Sequence, residues 1–477
     1  MERINVIPVP NKISFLGGEA TLDPSKLSCE ISDLLGNEEY ILTVENNKAT
    51  LVGGSETAVF YGKQTLRQLG NTCPCVKIED KPAYPYRGFM LDTVRHMFSI
   101  EDTKKLIDAA ASVKMNVMHW HLTDDQGFRI YSEKRPDAAI KGSVRKSSDF
   151  GKLKEEGSYG GYFTADQMRE IVNYCTERHI TVIPEFDVPG HCSAIIHAYP
   201  ELSCTGAPLE VKTSQGIFDD ILCAGKDGTF EIIFDILSDI LDIFPSEYIH
   251  IGGDEAPKVR WQECMYCQKR MREEGLKNEE TLQGWFTNKI IDFLKSKGRK
   301  PIVWNESLKS GVIEKTVLVQ RWMDPKNNST QFTKDGGKII NSDFYHYYCD
   351  YPYGMTPLAK TYNYNPVLKG MPPENVVGVE APIWTEYINN FDWLCHMCFP
   401  RFTAVAETGW TNTENKDLSD FIRRFEIYTE ILNEIGITPA PSTEWNPNPA
   451  KRLAKTVKFF SGLIKKKELI ITRIFIF

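Results

Sequence analysis

Carboxylates gather in a few short stretches of this chain, and their neighbours narrow what they could do. Asp254-Glu255 closes the run His250-Ile251-Gly252-Gly253, a turn where backbone can approach a ligand closely. Asp92 precedes Arg95-His96, and His119-Trp120-His121 leads into Thr123-Asp124-Asp125-Gln126. Pro184-Glu185-Phe186-Asp187 runs on to Pro189-Gly190-His191. Further along come Trp304-Asn305-Glu306, Arg321-Trp322, Tyr348-Cys349-Asp350 and Trp384-Thr385-Glu386. Indoles lining a pocket of carboxylates suit a neutral polyhydroxyl ring, which offers C–H faces to stack and hydroxyls to bind. Paired carboxylates in a sugar site point to glycoside hydrolysis, with one acid protonating the leaving oxygen. Taken singly, each feature has a plainer explanation: a surface acidic pair, tryptophans capping a core, or satisfied core histidines. Their joint placement carries the reading. A metal-dependent hydrolase would add histidines after later strands to His119 and His121. Trp304, Trp322 and Trp384 stand there instead, so neither a metal nor a cofactor is expected.

The elements that must position these residues alternate. Apolar or β-branched runs recur at Arg87–Leu91, Asn116–Leu122, Ile180–Phe186, Tyr248–Ile251, Pro301–Trp304, Thr316–Gln320, Lys338–Asn341 and Val376–Ala381. Helical patterns lie between most of them, at Ser99–Met115, Ala165–His179, Thr229–Phe244 and Asn278–Gly298. Eight strands with crossovers predict an α/β fold, a (β/α)8 barrel over residues 83–440. A doubly wound sheet would want a glycine-rich phosphate loop after an early strand. In a barrel the active site lies at the C-terminal ends of the strands, where the stretches above fall. Residues 1–82 read as a small α+β domain, with a hairpin around Asn46-Asn47, a helix over Ser55–Leu69 and a boundary at Lys81–Pro85. Residues 441–477 read as a basic and apolar tail or helix; from Lys451 on it holds eight Lys or Arg against one Glu.

Composition excludes several function classes. The 477 residues carry 56 Lys plus Arg against 64 Asp plus Glu, a net charge of −8, and are 42% hydrophobic. That is neither disordered, collagen-like nor coiled-coil. A net acidic chain whose only basic block is its tail is a poor nucleic-acid binder. No apolar run is long enough to span a membrane as a helix, and Leu469–Phe477 is short and broken by Arg473. The start, MERINVIPVP, lacks a secretory apolar stretch, so the expected location is cytoplasmic as given, or secreted or periplasmic where a leader has been removed. The twelve cysteines read as mostly buried free thiols. Two pairs have CxxC spacing, Cys264/Cys267 and Cys395/Cys398, too far apart to read together as one zinc module.

The runs Arg87–Asp92 with Arg95-His96, His119–Gln126, Pro184–His191, His250–Glu255 and Trp384–Glu386 together resemble the β-N-acetylhexosaminidases of glycoside hydrolase family 20, over residues 39–440. The resemblance implies substrate-assisted retention through a bicyclic oxazolinium intermediate. Glu255 would be the general acid and then base, Asp254 would orient the acetamido N–H, and Tyr348 would donate to its carbonyl. Trp304, Trp322 and Trp384 would wall the acetamido pocket, while Arg95, Asp350 and Glu386 would bind ring hydroxyls. Asp124 and His191 would tune Glu255. The implied substrates are GlcNAc- or GalNAc-terminated glycans or chitooligosaccharides, cleaved from the non-reducing end; a homodimer is one compatible assembly. Two alternatives stand beside it: a disaccharide-releasing, lacto-N-biosidase-like relative, and an inactive sugar-binding barrel, which the retained Asp254, Glu255 and Tyr348 disfavour. The chain departs from the family in having Tyr-Cys-Asp for Tyr-Leu-Asp at 348–350. It also lacks the longer Trp-bearing loop that follows in many relatives, which alters the aglycone side.

Overall fold

The computed structural model describes residues 3–23, 26–151 and 153–463; Leu469–Phe477, the apolar end of the expected tail, lies outside them. The first unit is a five-stranded sheet. In chain order its strands are β1 (Lys12–Thr21), β2 (Leu27–Ile31), β3 (Tyr40–Glu45), β4 (Lys48–Gly53) and β5 (Thr72–Asp80), arranged β1-β5-β3-β4-β2. Asn46 and Asn47, at φ 51° and 58°, make the tight β3–β4 turn that asparagine tolerates. Helix α1 (Glu56–Leu69) starts where Ser55 Oγ accepts from the Thr57 and Ala58 amides, and it packs on this sheet. Strands β1, β2 and β5 were not expected from the sequence. In β1, Gly17 and Gly18 sit at φ 82° and 80° and shift the register between Phe15 and Glu19, which breaks the two-residue alternation.

Lys81–Pro85 joins this unit to a closed barrel of eight parallel strands. They are β6 (Tyr86–Asp92), β7 (Val117–His121), β8 (Thr181–Glu185), β9 (Tyr248–His250), β10 (Lys300–Trp304), β11 (Leu318–Arg321), β12 (Lys338–Asn341) and β13 (Val376–Ile383). Helices α2 (Ile100–Ser112), α3 (Ala165–Thr176), α4 (Asp227–Ile243), α5 (Glu279–Ser296), α6 (Asn328–Lys334), α7 (Leu358–Tyr362) and α8 (Arg401–Trp410) lie among the crossovers. The crossover after β10 has only a 3-10 segment, Asn305–Ser310. Each longer helix buries one stripe; in α4 it is Phe230, Ile233, Ile236, Leu237 and Ile240, spaced three and four apart. The barrel expected from the alternating pattern is therefore present.

The barrel interior is layered, and the two-residue period of a strand decides what each layer holds. Tyr86, Val117, Ile183, Ile302, Leu318 and Ile340 form one apolar layer. Two residues along the same strands come Gly88, His119, Glu185, Trp304, Gln320 and Ser342. The second layer is polar, and the site stands on it.

Candidate active site

Glu185, wholly buried at the end of β8, is the hub of the polar layer. It bonds His119 Nε2 at 3.1 Å, His121 Nδ1, and Trp304 Nε1 at 2.8 Å, and His250 Nδ1 lies 2.9 Å away. Burial would raise its carboxyl, but His250, His121 and His119 hold it well below the usual range. On the other side of His119, Glu380 of β13 lies 3.1 Å from Nδ1 and also accepts from Tyr86 Oη at 2.5 Å and from Gln320. Against the pull of burial, Glu380 and Glu185 carry His119 up to about 9, so it bridges them as a cation at neutral pH. His119 and His121 thus point the same way, as alternation on a strand requires, into one carboxylate.

Above this layer, the loop after β9 turns through Gly252 and Gly253, both at positive φ. A Cβ on Gly252 would sit 1.7 Å from Asp187 Oδ1, and one on Gly253 2.3 Å from Ser307 Oγ, so only glycine fits. Asp187 Oδ1 holds the turn by accepting from the Gly253 amide at 3.0 Å. Glu255 follows at φ 42° and His191, on the loop after β8, is at φ 49°, conformations costly for side-chain-bearing residues and concentrated at functional sites. His191 Nε2 lies 3.7 Å from both Asp254 Oδ2 and Glu255 Oε2, while its Nδ1 lies 3.1 Å from Asp124 Oδ1. Asp124 in turn accepts from Arg95 at 2.7 Å and bonds His121 Nε2 at 2.9 Å. Burial opposes charging His191, yet Asp124 and its other partners push its imidazole well above the usual value. Burial, with Glu185 and Glu255 adding and His191 opposing, raises Asp254 to about 7, and its Oδ1 has no hydrogen-bond partner among the described residues.

Facing the turn is an aromatic box. Trp304, Trp322 and Tyr348 pack as one cluster with Trp384, Tyr351 and Phe344; Trp304 to Trp384 is 6.2 Å and Tyr348 lies 6.4 Å from both Trp322 and Trp384. Asn305 fixes Trp322, accepting from its amide at 3.0 Å. Arg95 lies 4.9 Å over the Trp384 ring and pairs with Asp92 at 3.1 Å and Glu386 at 3.7 Å. Asp350 is buried beside Glu386; burial first, and that neighbour second, push its carboxyl well up. Like Asp254 Oδ1, Asp350 Oδ1 and Trp322 Nε1 are buried with no hydrogen-bond partner among the described residues. A polar ring entering the box would find these atoms unsatisfied.

The structure therefore brings every site residue expected from the sequence to one mouth: Asp254, Glu255, Tyr348, Arg95, Trp304, Trp322, Asp350, Trp384, Glu386, Asp124 and His191. In the sequence Glu185, Asp187 and His250 fall at strand ends without a role of their own, and neither Gln320 nor Glu380 stands out. The signal for Glu380 was available: it is the one charge in the apolar run Val376–Ile383. Three groups at the mouth have ligand atoms close enough for an ion: His119/Glu185/His250, Asp124/Asp125/His191 and Asp187/His191/Asp254. Apart from Asp254, their members already hydrogen-bond among themselves or with neighbours, as a proton network does.

Comparison with known proteins agrees on one kinship. The family profile described as glycosyl hydrolase family 20, catalytic domain, matches residues 84–413, and that for domain 2 of the same family matches residues 22–81. A beta-hexosaminidase of Porphyromonas gingivalis is 38% identical over 422 residues, 82% of this chain. The chain spans about half of that relative's length, 53%. A beta-hexosaminidase of Akkermansia muciniphila is 32% identical over 90% of both chains. The crystal structure of an exo beta-N-acetylglucosaminidase from Vibrio harveyi, in complex with N-acetylglucosamine, superposes with a TM-score of 0.83 at 26% identity, over 92% of this chain and 78% of that one.

Proposed function

The chain belongs to glycosyl hydrolase family 20, and we propose from its site that it is an exo-acting, retaining β-N-acetylhexosaminidase. It removes terminal GlcNAc or GalNAc from glycans or chitooligosaccharides, with the substrate's own acetamido oxygen as nucleophile. The observation that carries this reading is Asp254: a buried carboxylate with one oxygen unpartnered among the described residues, beside the acid candidate and an aromatic box.

The surroundings support the following roles. Glu255, the more exposed of the pair, protonates the leaving oxygen and later takes a proton from water. His191 lies against both carboxylates and backs onto Asp124, so it links their protonation states to the buried network. Asp254 accepts the acetamido N–H, turning the carbonyl oxygen towards the anomeric carbon. Its negative charge gains value as the ring turns cationic, an interaction stronger in the transition state than in the ground state. Tyr348 donates to the acetamido oxygen, and the indoles of Trp304, Trp322 and Trp384 wall the methyl and ring faces. Asp350 Oδ1 and Glu386 take ring hydroxyls, with Arg95 keeping Glu386 in place.

Hydrolysis of 4-nitrophenyl β-N-acetylglucosaminide beside the matching β-glucoside tests the reading. Turnover of the acetamido substrate alone is expected, since anchimeric assistance needs that group. Comparable turnover of both would mean an enzyme-borne nucleophile, and no turnover of either would point to the disaccharide-releasing or inactive readings.

A further inference from the structure

Beside the mouth, and outside the catalytic network, four cysteine sulfurs meet. Cys204 follows the 3-10 turn Pro200–Leu202, and Cys223 comes just after the bridge between Ser203 and Leu222. Cys264 and Cys267 flank the start of the helix Met265–Glu273. The first two lie on the loop after β8 and the second two on the loop after β9. All four Sγ atoms lie within 4.8 Å of one another. Cys204–Cys267 is 3.8 Å, Cys223–Cys264 3.7 Å and Cys223–Cys267 3.6 Å. A disulfide would need about 2.05 Å. A tetrahedron of thiolates around zinc, with Zn–S near 2.3 Å, has edges of about 3.8 Å.

We propose that Cys204, Cys223, Cys264 and Cys267 form a closed tetrathiolate site that binds one zinc ion. Three of the four are buried and Cys204 is partly so. Four sulfur donors leave no open position for water, which makes the site structural rather than catalytic. Cys223 stands nearly equidistant from Cys264 and Cys267, as a tetrahedral vertex does and a disulfide partner does not. The sequence pairs Cys264/Cys267 and Cys395/Cys398 do not share it: Cys398 contacts Cys349 instead.

The surrounding backbone is built to hold this geometry. A Cβ on Gly225 would lie 2.2 Å from the Tyr266 carbonyl carbon, so the two loops abut where only glycine permits it. Trp261 Nε1 donates to Leu222 O at 2.9 Å, and the Leu222 amide donates to Pro189 O at 3.0 Å, two residues before His191. The ion thus staples the loop that carries His191 to the loop that carries Glu255. Zinc binding itself does not depend on the glycosidase reading.

Metal analysis of the full chain, purified under reducing conditions without chelator, should find about one zinc per chain, released by a mercurial. The Cys264→Ser/Cys267→Ser double variant should lose most of it. Should that variant fail to fold, the wild-type chain grown with cobalt in place of zinc should show the intense visible bands and thiolate charge transfer of tetrahedral CoS4. Absence of transition metal with all twelve thiols titrating in denaturant would overturn the proposal. So would a mass lowered by two or four daltons through disulfides, zinc that persists in the double variant, or iron in its place.

Discussion

Asp254 and Glu255 are neighbours in the chain yet meet different surroundings, and the difference predicts how each behaves when changed. Glu255 needs its proton only when the leaving group is poor. Glu255→Gln should therefore lose about 10²–10⁴-fold in kcat/KM on chitobiose but far less on an activated aryl glycoside such as 2,4-dinitrophenyl; equal losses on both would contradict the acid role. Asp254 carries an opposite pair of consequences. Its folded-state carboxyl titrates near 7 against 3.8 when unfolded, chiefly through burial. As pH rises from 4 to 7 the unfolded chain ionises first, so the fold loses stability over that window. In the limit the loss is about 4 kcal/mol, less where water and His191 screen it. Asp254→Asn removes that loss. The variant should melt higher than wild type at pH 8, with the gain shrinking towards pH 4. Its kcat on the acetamido substrate should fall by about 10²-fold or more, the scale of losing one preorganised group at a developing charge. Thermal melts at the two pH values and steady-state rates read both halves, and an unchanged rate would sink the substrate-assisted scheme.

At the scale of elements, the polar layer of the barrel sets the stability of the platform on which those carboxylates stand. His119 is carried from 6.5 to about 9, opposed by burial and driven by Glu380 and Glu185. A folded value above the unfolded one means the stabilisation is complete below about 6.5 and is lost as pH rises through about 9, amounting to about 3 kcal/mol in the limit. Unfolding free energies from urea should therefore fall between pH 6.5 and 9 in wild type. The fall should flatten in His119→Asn, even though that variant starts lower for taking the shared cation from between two buried carboxylates. This layer also shows how far the sequence could be read. The barrel strands were legible because each is a short apolar run between helices with a clear stripe. The mouth was legible because Asp254, Trp304 and Asp350 are chemically conspicuous at strand ends. Glu185 and Glu380 were not, because a buried carboxylate looks like any other until its histidine partners on β7 are in place. Nor could spacing show that Cys204 and Cys223 join Cys264 and Cys267, since only the packing of two crossover loops brings them together. In the small domain the paired glycines of β1 hid a strand by breaking its period.

At the scale of the whole molecule, the chain folds back on itself in two places, and each return has a measurable effect. The helix Pro449–Leu463 lays Phe459 against Tyr351 at 5.7 Å and Tyr387 at 5.0 Å, residues adjacent to Asp350 and Glu386. That contact occupies the side where the shortened loop after Asp350 leaves no Trp-bearing platform. Phe459→Ala should raise KM for chitooligosaccharides more than it lowers kcat, with little effect on an aryl glycoside. The second return joins the two domains. Trp410, at the end of α8, is buried in the core of the small domain and donates to Asp80 Oδ2 at 2.8 Å. Asp80 also accepts from Tyr40 Oη at 2.7 Å and pairs with Lys114 at 3.4 Å, both fully buried. Burial draws Lys114 down to about 8, with Asp80 the main opposing charge and Glu407 a smaller one. Across the same junction Arg87 pairs with Glu38 at 2.6 Å and lies 5.1 Å over the Trp410 ring. Neither unit closes its core without the other, so urea unfolding followed by tryptophan fluorescence and by far-ultraviolet circular dichroism should give one coincident transition. Asp80→Ala strands a buried cation and the donors of Tyr40, Trp410 and Asn11, a loss of about 3–5 kcal/mol, and should separate the two probes as the small domain melts first. If the probes part already in the wild type, the junction does not couple the domains; if the variant melts as one unit at an unchanged midpoint, Asp80 is not what joins them.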